Sequence, residues 1–177
     1  MAKILPILNN PNPILRKKSQ EVKEADLKSK NLNQLLADMT KTMLTKDGAG
    51  LAAPQIGESL RLAVINYNGR LYVLINPKIT KKSFAKEIDE EGCLSVLNEK
   101  GEILYGPVNR HKKIICHYID ENGRKQKISA EKLFARIIQH ELDHLDGVLF
   151  IDRLAPGAVL KPLVIEEPDN NQETFTK

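Results

Sequence analysis

With 177 residues, 41 % of them hydrophobic and 28 % charged, the chain has the composition of one globular domain able to bury a core, not of a disordered or fibrous protein. Two cysteines are too few for a disulfide scaffold, and no apolar run approaches membrane-spanning length, so a cytoplasmic protein without membrane contact is expected. The net charge of +4 suits an anionic partner, but the lysines are scattered and form no block, so sequence-specific nucleic-acid binding is not expected.

The opening apolar run is short and broken by Pro6, unlike a secretory signal. Asn9–Ile14 is turn-rich, with its prolines holding the chain extended. Leu32, Leu35, Leu36, Met39 and Met43 recur at helical spacing and predict an amphipathic helix over 28–46, stopped by Asp47-Gly48. After a small-residue loop, Leu62–Tyr67 and Leu71–Ile75 read as strands joined by the hairpin dipeptide Asn68-Gly69. Further strands are expected near Ile79–Phe84, Glu87–Cys93, Lys112–Ile119 and Gln126–Ser129. Ser129 is a natural N-cap, with Glu131 in the first turn, for a second helix ending near Gly147. Strands lying between two distant helices predict an α+β fold, with antiparallel sheets around the second helix and a separate N-terminal helix. Residues 1–165 read as one domain, and 166–177 as a polar tail expected to be mobile.

The strongest chemical signal is His140-Glu141-Leu142-Asp143-His144. Four residues of helix advance about 6 Å and little more than one turn, so both imidazoles leave one face. One ion can take both rings with Glu141 beside it, and roughly 0.005 such matches are expected by accident in a chain of this composition. Leu133 and Ile137 precede His140 on the same stripe, which should therefore face the core, where unpartnered imidazoles are costly. The third ligand is less determined. In one metalloprotease pattern it follows downstream, where this chain has Phe150. Upstream the candidates are Cys93, Cys116, His111 and His117, with Cys93 favoured by the neighbouring Gly92.

Three segments in order then resemble the peptide deformylase family: Gly48-Ala49-Gly50-Leu51-Ala52-Ala53-Pro54-Gln55, Glu91-Gly92-Cys93-Leu94-Ser95, and Gln139-His140-Glu141-Leu142-Asp143-His144. The similarity spans roughly residues 4–155. It implies removal of the N-formyl group from the initiator methionine of nascent polypeptides, with a ferrous ion on Cys93, His140 and His144; nickel, cobalt or zinc can replace iron. It also implies Glu141 as the proton-transferring base, with the Gln55 amide and Leu94 N–H as oxyanion donors. Ala49, Gly50 and Gly92 would approach an extended peptide, Leu133 and Ile137 would wall a methionine pocket, and Arg110 would pair with Glu91 or orient substrate. Three departures stand out. Ala49 replaces a larger residue, Val96–Val108 is read as a long loop at the rim, and the C-terminus lacks the basic helix with which some members dock on the ribosome. A zinc peptidase and a catalytically inert module that binds nascent chains or RNA are the rival readings.

Overall fold

In the computed structural model, which describes residues 1–162, hydrophobic alternation divides the strands between two antiparallel sheets. The larger sheet comprises β1 (Gly50–Ala52), β2 (Leu62–Tyr67), β3 (Arg70–Lys82), β6 (Lys113–Ile119) and β7 (Lys125–Glu131), in the order β1-β2-β3-β6-β7. The smaller joins β4 (Lys86–Leu97), β5 (Ile103–His111) and the short β8 (Lys161–Pro162). Two helices complete the frame, α1 (Lys30–Thr45) and α2 (Lys132–Leu145).

The larger sheet is covered on both faces, which explains why the first four residues of β2, 62–65, are all apolar and buried instead of alternating. Leu62, Val64, Val73 and Ile75 pack with Leu32, Leu36, Met39 and Met43 of α1. Their neighbours Ile65 and Leu74 face the other way and pack, with Ile114 and Cys116, against Ala135, Ile138 and Leu142 of α2. A third cluster joins Cys93, Val96 and Val108 of the smaller sheet to Leu15, Leu149 and Phe150. The α2 helix thus lies at the junction of the two sheets, and that junction carries the site.

The α+β architecture and the β2–β3 hairpin follow the sequence reading; Asn68 and Gly69 both take positive φ, as a type I′ turn requires. Three boundaries differ. The N-cap of α1 is Ser29, whose hydroxyl accepts from Leu32 N at 3.1 Å, and the left-handed residue at its end is Asp47, not Gly48. Ser129 is not a helix cap. It pairs with Ile115 inside β7, because Ile128 and Ala130 alternate into the core and keep the ladder running to Glu131. Lys132, at φ +52°, then turns the chain from strand into α2. The stretch Val96–Val108 is a hairpin, not a long loop. β4 and β5 occupy most of it, and Asn98 folds the turn by accepting from Lys100 N and Glu102 N at 2.9 Å. The polar tail at 166–177 lies outside the described residues.

Candidate metal centre

Helix α2 carries His140 and His144 one turn apart, with ring centroids 5.0 Å apart and planes at 74°. Across the junction, β4 brings Cys93 to them: its Sγ lies 3.2 Å from His144 Nε2. One donor atom from each of Cys93, His140 and His144 falls within 4.8 Å of the other two, and no second such cluster occurs among the described residues. Of the other possible third ligands, Cys116 is in the core beneath α2, His117 is exposed, and the His111 ring donates through Nδ1 to Ser83 O at 2.6 Å.

Cys93 reaches the helix because the β4–β5 ladder breaks. Register is regular from Lys86 to Gly92 and resumes only at Leu97, which frees the backbone from Cys93 to Val96 from cross-strand pairing, Leu94 included. Gly92 is required by contact: a Cβ there would lie 2.3 Å from the Tyr105 ring on the paired strand. From the turn after β1, Gln55 accepts from Ala52 N at 2.8 Å and donates to Ser95 Oγ at 3.1 Å, with its Nε2 3.6 Å from Cys93 Sγ.

A buried charge network sets the imidazoles. His140 Nδ1 donates to Glu91 Oε2 at 3.0 Å, which leaves Nε2 as its free nitrogen. Glu91 is held by Arg110 at 2.8 and 2.9 Å and by Arg136 Nη1 at 2.8 Å; Arg110 also bonds Asp143, which Arg153 grips at 2.6 and 2.7 Å. Burial pushes the Glu91 carboxyl up, but the bonds from Arg110 and His140 outweigh it and hold the group well below the usual carboxylate range. Glu141 is the contrast. Burial raises it to about 7, and its Oε2 has no hydrogen-bond partner among the described residues. His144 is kept neutral by burial and by neighbouring His140. A thiol and two imidazoles whose donor atoms converge, with an unpartnered carboxylate oxygen beside them, are a set that fits one divalent cation.

The cavity in front of these groups has a volume of about 370 Å³. Ala49, Gly50, Glu91, Gly92, Leu94, Leu133 and Ile137 line it, while Arg110 stands behind Glu91. Leu133 does not continue a buried stripe as the helical spacing predicted: it is 56 % exposed and lines the cavity. Gly50 sits against Glu141, where a Cβ would lie 2.2 Å from Glu141 Oε1. The sequence reading missed Tyr105, Ile103 and Arg136, which also line the cavity. Arg136 was accessible to it, lying four residues before His140 on the same helical face; Tyr105 needed the β4–β5 register.

A model of the polypeptide deformylase family matches residues 4–159. The peptide deformylase of Dictyoglomus thermophilum is 45 % identical over 88 % of this chain and 94 % of its own length. That of Pseudothermotoga lettingae is 43 % identical over 92 % and 91 %. Among solved structures, an actinonin-bound class I type b peptide deformylase from Acinetobacter baumannii matches with a TM-score of 0.80 at 34 % identity, over 87 % of this chain and all of that one. The Met-Ala-Ser-bound form of the same enzyme matches equally well at 33 % identity.

Proposed function

The chain belongs to the polypeptide deformylase family, and we propose that it carries out that family's hydrolysis with Cys93, His140 and His144 as metal ligands and Glu141 as the acid–base residue. The reaction removes the N-formyl group from the initiator methionine of nascent polypeptides and releases formate. The observation that carries the residue assignment is the convergence of one thiol, two imidazoles and one buried carboxylate with an unpartnered oxygen on a single cavity.

A bound divalent ion supplies Lewis acidity, polarising the formyl carbonyl and acidifying water near neutral pH. Glu141 takes the proton from the attacking water at its free carboxylate oxygen. It then delivers that proton to the amine nitrogen as the formyl C–N bond breaks. The Gln55 Nε2–H, oriented by the bond from Ala52 N to its other end, and the backbone N–H of Leu94 stabilise the oxyanion. β1 is the outer strand of its sheet, so an extended peptide can pair along its open edge beside Ala49 and Gly50, with the methionine side chain between Leu133 and Ile137. Glu91, clamped by Arg110, keeps His140 in the tautomer that offers Nε2.

Iron is the metal we propose, although thiolate and imidazole also suit nickel, cobalt and zinc. The wider reading is a cytoplasmic enzyme with its catalytic domain over 1–165, a polar tail over 166–177 and transient contact with the ribosome. Formate release from formyl-Met-Ala-Ser tests the activity, and peptide-bond cleavage in its place would favour a peptidase. Glu141→Gln is expected to abolish formate release while the protein still binds metal; undiminished turnover would remove Glu141 from the mechanism. Metal analysis of anaerobically prepared protein, with activity followed on exposure to air, tests iron.

A further inference from the structure

The fold gathers lysines that the sequence scatters. Lys18, Lys78 and Lys82 of β3, and Lys86 at the start of β4 line one cleft of about 560 Å³. Gln139 and Asp143, on a different face of α2 from the one facing the catalytic cavity, border it together with Asp146 just past the helix end. Arginines already occupy two of its carboxylates: Asp143 pairs with Arg110 and Arg153, and Asp146 with Arg61. The four lysines have no ion pair among the described residues, and Glu21 is the one remaining acid in the lining. The cleft is therefore a concave wall of available cations.

Phe84 lies midway in sequence between the lining residues Lys82 and Lys86, is not itself part of the lining, and is fully exposed. That exposure is not fraying. Ser83 N donates to Lys113 O at 2.9 Å, Lys112 N to Ala85 O at 3.0 Å and Lys113 N to Ser83 Oγ at 3.1 Å, so the backbone on both sides of the ring is fastened. A held aromatic ring beside unpaired cations combines a stacking platform with phosphate-seeking charge.

We infer that this cleft binds single-stranded RNA without reading its sequence, with the lysines on phosphates and Phe84 stacked on a base. A concave wall fits a strand, whereas a bilayer would need a flat or convex contact. The inference is independent of the chemistry assigned to the metal centre.

Fluorescence anisotropy with a labelled oligouridine about twelve nucleotides long tests it. The expected result is binding whose logarithm falls against log salt with a slope of about −2 to −3, as four lysine–phosphate contacts predict for a single strand. Lys82→Glu/Lys86→Glu is expected to weaken binding at least about tenfold at low salt, and Phe84→Ala about tenfold. Far-UV circular dichroism and formate release from a tripeptide should be unchanged in both, which separates loss of the cleft from loss of the fold. Oligouridine affinity that ignores both substitutions would overturn the inference. So would polyglutamate competing as well as RNA, or phosphatidylserine vesicles binding at the same residues in the presence of excess RNA.

Discussion

Gly50 and Glu91 control the two sides of the metal centre by opposite means, one by having no side chain and the other by having a fully engaged one. The Glu141 carboxylate occupies the space a Cβ on Gly50 would fill. Gly50→Ala should push that carboxylate off its position and lower kcat/KM by about a hundredfold or more, while metal content measured on the same sample stays near one ion per chain. Glu91 accepts from two arginines and His140, so Glu91→Gln leaves buried cations short of their counter-charge. A loss of about 3 kcal/mol is expected in urea unfolding at pH 7. The sign of its pH dependence follows from its lowered pKa. The stabilisation is complete above the unfolded carboxylate value of about 4.3 and is lost as pH falls towards the lower folded value. Thermal stability of the parent protein should therefore drop between pH 5 and acid more steeply than that of Glu91→Gln. At this scale the sequence was legible where spacing alone carries geometry, as in His140, Glu141 and His144. Cys93 was legible only in part: the neighbouring Gly92 favoured it over Cys116, but the choice rested mainly on family resemblance, because the broken ladder that frees it leaves no periodic signal.

The elements that position these residues were read most securely where turn chemistry punctuates them. Asn68-Gly69 marked the β2–β3 hairpin because both residues tolerate positive φ. The start of α2 was misplaced because Ser129 followed by Glu131 carries the same local signature whether or not a neighbouring strand claims it, and β6 does. Arg110 and Arg136 come together only because β5 and α2 converge on Glu91, a meeting no local pattern encodes. At the other end of α2, Gly147 has φ +74°, and a Cβ there would lie 2.7 Å from the Arg16 carbonyl. Gly147→Ala combines a left-handed backbone with a backbone clash and should cost about 2 kcal/mol or more. Chemical denaturation measures it, and a value below about 0.5 kcal/mol would show that the Arg16 segment yields without penalty.

For the molecule as a whole, the donors belong to different structural bodies: Cys93 to the smaller sheet, the histidines to the helix that packs on the larger one. A ligand spanning that seam should stabilise the folded state according to its affinity. Chelation is expected to lower Tm by about 5 °C or more, with far-UV circular dichroism at room temperature unchanged because each body keeps its own apolar cluster. Loss of secondary structure on chelation would mean that the clusters do not suffice alone.

The broken ladder at Gly92 also has a kinetic side. Cys93 and His144 are separated by 51 residues of chain, so the proposed ligand set is assembled only once β4 and α2 have docked. Donors so far apart in sequence offer the ion no local segment to nucleate. Metal uptake should then follow tertiary assembly, the reverse of the order in a small zinc domain, where capture of the ion makes the fold.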